Sequence, residues 1–193
     1  MSNSAQQWAD EAQELLTDLR VGLRVLILGP GEKSEKKWFE KRKQIIKAIE
    51  EASRGSDTAC TCEDLFRLQP DPPVEIGYAE LAHVAKADIV VALIVASPKE
   101  QGGVYRELDI IAGFQKLREK VIMFLPTQKS YLERFQAGAL KVYKEEQKVS
   151  MEWPTLLQCE ELRKTCISKI DGERKVRMFD ALVAKMHALG KGM

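Results

Sequence analysis

The sequence predicts an α/β fold: a small doubly wound parallel sheet of four to five strands flanked by helices, with extra N- and C-terminal helices. Short apolar runs of strand length alternate with longer segments whose apolar residues recur at helical spacing. This alternation is typical of a parallel sheet covered on both faces. The chain of 193 residues is also long enough to bury one such core. We therefore expect a single domain over residues 1–193, with its core at about 23–145.

The first part of the chain predicts a helix, a strand, a second helix and a weaker strand. Residues 5–20 place apolar side chains at helical spacing. Residues 24–28 form an apolar run that stops at the breaker Gly29-Pro30-Gly31. Residues 33–52 carry an apolar stripe opposite a face of lysines and glutamates, which indicates a solvated helix packed on a sheet. Residues 57–66 could hold a short second strand.

The middle of the chain contains the clearest strand. Tyr78–Lys86 has the pattern of a helix, and Asp88–Ala96 is almost entirely apolar. A helix is expected to begin around Val104 and to run through Gln115. Val121–Leu125 is a further strand, ended by Pro126, and Ala139–Tyr143 is the candidate for a short last strand.

Two amphipathic helices are expected to finish the chain, at about 155–189. Together these elements predict a flavodoxin-like sheet, because right-handed crossovers leave few other ways to connect them. In such folds ligands bind beyond the carboxyl ends of the strands. The segments that follow the predicted strands, and are therefore nominated as binding loops, are Gly29–Lys33, Ser97–Glu107 and Pro126–Tyr131.

Composition excludes several classes of protein. The formal charge of +1 shows no basic excess of the kind that nucleic-acid-binding proteins usually carry. The longest apolar run, Ile89–Ala96, is far shorter than the roughly 20 residues that a membrane helix needs. Met1–Asp10 lacks a signal-peptide core, and four cysteines are too few for a disulfide scaffold. We expect a cytoplasmic protein with no nucleic-acid and no membrane partner.

Charge is distributed unevenly along the chain. Residues 21–54 hold nine basic and five acidic side chains, for a total of +4, and residues 97–140 hold seven and five, for a total of +2. These two segments contain the principal candidate loops. A basic surround favours an anionic small molecule such as a nucleotide.

The segment after the strand at 88–96 carries a recognisable pattern: Ala87-Asp88, then Ser97-Pro98, Gly103 and Glu107-Leu108. It resembles nucleoside 2-deoxyribosyltransferases, in which a strand and a polar loop with Gly precede a Glu that opens a helix. It is also similar to TIR domains, in which a strand ending in Ser-Pro is followed by a short loop and a Glu-Leu pair. The resemblance covers roughly residues 23–145.

The resemblance implies cleavage at an N-glycosidic bond, either deoxyribosyl transfer or hydrolysis of a nucleotide or of NAD. Glu107 would be the catalytic group, as a nucleophile or as the anion that stabilises the oxocarbenium-like state formed when the base departs. NAD would then be a substrate, and no cofactor is expected. The alternative for Glu107 is structural, because acidic side chains in a first helical turn are favoured by the helix dipole.

Substrate-binding residues are expected in two loops. Gly29, Pro30 and Gly31 lie where backbone N–H groups at a helix start could bind a phosphate, although their spacing fits neither a P-loop nor a dinucleotide fingerprint. A tight turn from strand to helix is the alternative. The second loop supplies Ser97, Gly102, Gly103 and Tyr105. Gly102-Gly103 with Glu107 is also similar to part of the motif of cytokinin-activating nucleotide phosphohydrolases.

A non-catalytic function stays open. The deoxyribosyltransferase pattern has an Asp just after the strand and another six residues before the Glu, whereas this chain has Val95-Ala96 and Gln101 in those regions. The second interpretation is therefore a TIR-like module that senses a nucleotide or assembles with partner domains. In that case the apolar stripes of the terminal helices could form a contact in a homo-oligomer.

Metal binding is not expected. Cys60 and Cys62, with Cys159 and Cys166, fit no standard zinc spacing, and the chain has two histidines. Cys159 and Cys166 fall on the apolar stripe of their predicted helix, which favours core packing. Glu63 and Asp64, after the possible second strand, could contact a ribose or be surface acids.

Overall fold

The computed structural model describes residues 6–7, 22–31, 36–53, 55, 57–68, 76–94, 102–126, 141–151 and 159–190. Their contacts form two compact units. Residues 23–167 make up the larger unit, which holds the sheet, and residues 1–22 with 168–193 make up the smaller one.

Five strands form one parallel sheet in the larger unit. Their bounds are Arg24–Leu28 (β1), Thr58–Thr61 (β2), Ile89–Leu93 (β3), Val121–Pro126 (β4) and Lys148–Met151 (β5). The spatial order is β2-β1-β3-β4-β5, and every neighbouring pair is parallel. This is the flavodoxin-like order, in which the chain reverses its direction of winding between β1 and β3. The predicted α/β fold with a doubly wound sheet is confirmed.

Six α-helices lie in the described residues, and those within the larger unit flank the sheet. Their bounds are Lys36–Ala52 (α1), Cys62–Leu68 (α2), Ile76–Lys86 (α3), Gly102–Ala112 (α4), Gln115–Arg118 (α5) and Cys159–Gly190 (α6). A short 3-10 turn, Glu145–Gln147, precedes β5. None of the helices in these ranges is both long and apolar enough to cross a membrane.

The core explains why β1 and β3 read as continuous apolar runs. All five residues of β3 are buried, because helices cover both faces of the sheet. Leu26 of β1 and Val90 of β3 pack on one face in a cluster that includes residues of α3 and α4. Ile27 and Val91 point to the opposite face, since side chains alternate along a strand. Among the described side chains of α1, the buried apolar ones are Phe39, Ile45, Ala48 and Ile49.

Two predicted elements differ from the structure in the second half of the chain. Lys141–Tyr143 is not a strand, and the fifth strand is Lys148–Met151 instead. Tyr143, which made the earlier segment look like a strand, is buried because its hydroxyl donates a 2.7 Å hydrogen bond to the carbonyl of Leu108. The helix expected to continue through Gln115 ends at Ala112, and Gly113 separates it from α5.

The C-terminal region forms one helix where two were predicted. The 32-residue α6 continues without a break from Cys159 to Gly190 and includes Gly172. The ion pair Arg174–Asp171 spans the glycine and Arg177–Glu173 follows it, both at helical spacing, and they compensate in part for the low helix propensity of glycine. Of the predicted N-terminal helix, Gln6 and Gln7 are described, and both are helical.

Candidate active site

Glu107 lies in the second turn of α4, one turn further into the helix than the sequence predicted. The helix begins at Gly102, so Glu107 is its sixth residue, and the first turn contains no acidic side chain. The stabilisation of an acid by a helix dipole is confined to the first turn. Glu107 lies on the inner side of α4, between the buried Val104 and Ile111. The helix dipole therefore does not explain why an acidic residue occupies this position.

The Glu107 side chain lines a small cavity at the carboxyl end of β1. The walls come from the end of β1, the start of α2, and the facing sides of α3 and α4. The lining residues are Leu28, Cys62, Gly77, Glu80, Leu81, Val84, Glu107, Ile110 and Ile111. The cavity volume is about 10 Å³. That is room for about one water molecule. The cavity lies beside the point where the sheet changes its winding direction, which is where open α/β sheets bind ligands.

Glu80 of α3 is the second carboxyl group on the wall of this cavity. It is partly buried, and burial raises its pKa. The nearby Glu63 raises this pKa further, whereas the guanidinium of Arg106 lowers it. Two helices that are separated in sequence by β3 thus bring two partly desolvated carboxyl groups to one cavity.

Arg42 of α1 anchors the polar side of the site. Its side chain is 1% exposed, although it carries a full charge. Nη1 donates to the carbonyl oxygens of Gly29 and Pro30 at 3.0 and 2.8 Å. The guanidinium also forms a bidentate pair with Glu63, with Nη2 to Oε2 at 2.6 Å and Nη1 to Oε1 at 3.2 Å. These partners satisfy both terminal nitrogens of the buried guanidinium and offset its charge, whereas Nε is buried without a hydrogen-bond partner among the described residues.

The surroundings of Glu107 raise its pKa to about 7, from the ordinary value of 4.5. Burial is the largest cause, and the negative charges of Glu80 and Glu63 act in the same direction. Arg42 opposes them, but its charge is already opposed by Glu63. Glu107 is therefore poised to exchange a proton near neutral pH, as catalytic carboxyl groups do.

This arrangement is suited to paired acid and base chemistry. One ionised carboxylate can face developing positive charge, while a second accepts the proton of an attacking water molecule. Glu80 and Glu107 both line one cavity, and the negative charge of Glu80 is one of the causes that raise the pKa of Glu107 to about 7. The cavity has room for about one water molecule, which could exchange a proton with either carboxyl group.

The loop predicted to bind phosphate is held from inside the protein. The carbonyl groups of Gly29 and Pro30 accept hydrogen bonds from Arg42. A Cβ on Gly29 would lie 2.7 Å from Cδ of Arg42, and one on Gly31 would lie 3.3 Å from Oε1 of Glu63. Glycine at 29 is thus explained by the close approach of Arg42, and phosphate binding by this loop stays a prediction.

The other predicted binding residues are placed differently from Glu107. Gly102 and Gly103 are the first residues of α4, and a Cβ on Gly103 would meet nothing within 4 Å. Tyr105 packs against the hydrophobic core as a partly buried side chain. None of the three lines the Glu107 cavity. Ser97 lies outside the described residues.

Arg42 and Glu80 were not nominated from the sequence, although a signal for each was present. Arg42 stands on the apolar stripe of its helix, between Phe39 and Ile45 at spacings of three. Glu80 shares a helix face with Leu81 and Val84. A charged residue on an otherwise apolar helix face is rarely buried without a partner, so it is a sign of a polar site inside the fold.

The cysteines and possible metal ligands offer no second centre in the described part of the chain. No group of three or more His, Cys, Asp or Glu side chains in these ranges is placed to hold a metal ion. Cys62 and Cys166 are buried, and burial raises the pKa of both thiols. Both therefore stay protonated at neutral pH and contribute to packing.

Comparisons with known proteins leave the family of this chain open. No protein-family model matches the sequence, and no curated protein matches it.

Proposed function

We propose that the protein is an enzyme that cleaves the N-glycosidic bond of a nucleoside, a nucleotide or NAD, with Glu107 as the catalytic carboxylate. The observation that carries this proposal is the position of Glu107 on a cavity at the carboxyl end of β1, with a pKa raised to about 7. Both deoxyribosyl transfer and hydrolysis begin with the same bond cleavage, so one carboxylate serves either reaction.

The proposed reaction starts with cleavage of the bond between the anomeric carbon and the base nitrogen. The bonding electron pair leaves with the base, which takes a proton from water. Above about pH 7, where Glu107 is ionised, this carboxylate stabilises the positive charge on the sugar or forms a glycosyl ester with the anomeric carbon. Water, or a second base, then attacks that carbon, and the Glu80 carboxylate accepts the proton of the attacking group and returns it to the solvent.

Arg42 and Glu63 support this reaction from the polar side of the site. Because Arg42 holds one edge of the Glu63 carboxylate, the orientation of that side chain is set. The Glu63 side chain remains 36% exposed and can accept hydrogen bonds from ribose hydroxyl groups. Glu63 is one of the two acids after β2 that could contact a ribose. Arg42 is a positioning residue, since its guanidinium contacts protein groups.

The test is an assay for release of free base. The protein is incubated with nucleosides, 2′-deoxynucleosides, their 5′-monophosphates and NAD, and the products are separated by chromatography. Glu107→Gln is expected to lower turnover by roughly a thousandfold or more, because the amide cannot trap or balance the oxocarbenium charge. Glu80→Gln is expected to lower it by about 10²–10⁴-fold, the usual contribution of a general base.

Asp109→Asn is the matched control. Asp109 is an exposed acid on the same helix and does not line the cavity. Its variant should turn over substrate like the parent chain. Full activity in Glu107→Gln, or no base released from any substrate by the parent protein, would overturn the proposal.

The size of the cavity favours a second candidate, a non-catalytic module that binds a nucleotide or assembles with partner domains. At about 10 Å³ the cavity accommodates a water molecule and no ribose. In this case Glu80 and Glu107 would share a proton and hold α3 against α4. Nucleotides would raise the melting temperature without being cleaved, and Glu107→Gln would leave that shift unchanged.

A further inference from the structure

A second cavity lies at the opposite end of the strands from Glu107. It opens beside the first residues of β1 and β2, between α2 and the end of α3. The lining residues are Arg24, Val25, Leu26, Thr58, Cys60, Leu65, His83, Lys86 and Ala87. Its volume is about 230 Å³. A dry apolar cavity of about 150 Å³ is enough to bind benzene. The space therefore admits an aromatic ring or a branched aliphatic chain together with a small polar group.

The interior of this cavity is apolar. Val25, Leu26 and Ala87 are buried, and Leu65 and Cys60 are partly buried beside them. Burial raises the pKa of the Cys60 thiol, so it is uncharged at neutral pH. Binding the apolar part of a ligand in this cavity would remove apolar surface from water, which favours binding.

The mouth of the cavity carries positive charge. Lys86 is exposed at the end of α3, and Arg24 is 61% exposed at the start of β1. Asp88 pairs with Arg24, with its Oδ2 at 3.1 Å from Nε, and offsets the charge of that guanidinium. The negative charges of Asp64 and Glu50 act on Cys60, so the anionic end of a ligand is expected at Lys86 and not beside the thiol. A single exposed ammonium matches one carboxylate better than a phosphate ester with two charges.

His83 adds a neutral polar group to the same wall. Burial lowers the pKa of its imidazole, which is therefore uncharged at neutral pH and can donate one hydrogen bond. The edge contact with Phe66, at 5.3 Å between ring centroids, holds the imidazole ring in place. His83 and Thr58 both line the cavity, and their polar groups can form hydrogen bonds with a carboxylate or with a water molecule bound to it.

We propose that this second cavity is a binding site for a small amphipathic carboxylate, whose aromatic or branched body fills the apolar interior and whose anionic end lies against Lys86 and Arg24. The site is distinct from the Glu107 cavity, because the two share no lining residue. The proposal does not depend on glycosidic-bond cleavage.

Phenylacetate is the probe, and isothermal titration with the full chain is the measurement. About ten non-hydrogen atoms in a well-formed pocket predict a dissociation constant on the order of 0.1–1 mM. The neutral analogue 2-phenylethanol is expected to bind about three- to fivefold more weakly, because it forms no ion pair. The cation 2-phenylethylamine should be weaker still by a similar factor.

Variants locate the binding. Lys86→Gln should weaken phenylacetate by about three- to fivefold and leave 2-phenylethanol unchanged. Lys116→Gln, an exposed lysine outside the cavity lining, should change neither. Leu65→Trp fills the interior and should abolish binding of all three compounds. Glu107→Gln should bind them normally, which separates this site from the proposed catalytic one.

Alkylation of Cys60 provides a measurement on the unaltered protein, should Leu65→Trp not fold. Iodoacetamide labelling is followed by peptide mass spectrometry, with the buried Cys62 and Cys166 as internal references. Saturating phenylacetate should slow labelling of Cys60 alone. The proposal is overturned by an absence of saturable binding, by equal affinity for the acid, alcohol and amine, or by labelling of Cys60 that phenylacetate does not slow.

Discussion

At the scale of single residues, one buried arginine accounts for several features of the site. Arg42 bonds the carbonyl groups after β1 and the carboxylate of Glu63 after β2, so it connects the ends of two neighbouring strands through a helix that follows the first. It also explains the glycine at 29, which leaves space for the methylene groups of the arginine. The Gly29–Gly31 loop is thus a structural element before it is a binding loop.

Gly29→Ala is expected to destabilise the protein. The added Cβ would lie 2.7 Å from Cδ of Arg42, and that atom belongs to a side chain fixed by hydrogen bonds at its far end. Overpacking of this kind costs about 1–3 kcal/mol in the free energy of unfolding. Chemical denaturation measures this free energy, and Gly103→Ala is the control because a Cβ there meets nothing within 4 Å.

The cause of this effect can be isolated in a double mutant. Arg42→Ala alone should cost about 3–5 kcal/mol, because it leaves buried carbonyl groups and Glu63 without their donor. In the Arg42→Ala background, Gly29→Ala should hardly change the free energy of unfolding, because Cδ of Arg42 is absent and the added Cβ has no close contact with it. Additive effects of the two substitutions would contradict the packing explanation.

At the scale of elements, the edge strand β5 is held by a side chain as well as by backbone pairing. Gln147, at the end of the 3-10 turn, is buried and donates from Nε2 to the carbonyls of Arg118 and Val121 at 2.5 and 3.0 Å. Its Oε1 accepts from the backbone N–H of Lys144 at 2.9 Å. These bonds position the turn against the start of β4 and so set where β5 begins.

Gln147→Ala is therefore expected to lower the free energy of unfolding by about 1–3 kcal/mol, because buried carbonyl groups lose their donor. Hydrogen exchange should accelerate in β5 more than in β3. Gln115→Ala removes an exposed amide that bonds Glu119 and should change stability by less than about 0.5 kcal/mol. If Gln147→Ala and Gln115→Ala lowered the free energy of unfolding equally, the buried hydrogen bonds of Gln147 would contribute no more to stability than an exposed one.

The long helix α6 supplies a second prediction at this scale. Gly172 lies inside the helix, and a Cβ there would meet nothing within 4 Å. Gly172→Ala should raise stability by about 0.5–1 kcal/mol through helix propensity. Gly55→Ala should lower it, because Gly55 has φ of +77°. Circular dichroism at 222 nm during thermal unfolding tests both, and a loss of helicity in Gly172→Ala would contradict a continuous helix.

At the scale of the whole molecule, the raised pKa of Glu107 links global stability to pH. The folded protein retains a proton on this group up to about pH 7, whereas the unfolded chain releases it near pH 4.5. The unfolded state therefore binds fewer protons between these values, and the free energy of unfolding falls as pH rises from about 4.5 through 7. The loss from this group is about 3 kcal/mol, because its pKa rises from 4.5 to about 7 on folding.

Glu107→Gln should remove that dependence. The variant should match the parent protein below pH 4.5 and become progressively more stable than it as pH rises to 8. Urea denaturation at intervals of pH measures the difference, with Asp109→Asn as the control. Parallel stability curves for the parent protein and Glu107→Gln would show that Glu107 is not desolvated in the folded state.

Much of the architecture could be predicted because it depends on local patterns. The alternation of apolar runs and amphipathic segments identified β1, β3, β4 and the helices α1 and α3, since burial on both faces imposes those patterns on the sequence. The last strand was misplaced because β5 is an edge strand of four residues with a polar composition. Its position depends on Gln147 and on pairing with β4, which are interactions between distant parts of the chain.

The sequence by itself determined the α/β class, the doubly wound sheet and the position of Glu107 after the central strand. The tertiary structure decided which groups surround Glu107. Glu80 reaches it from α3, and Arg42 reaches the loop and Glu63 from α1. The physical reason is that a pKa, a cavity and a buried ion pair arise from groups brought together across the sheet, whereas a hydrophobic pattern is a property of neighbours along the chain.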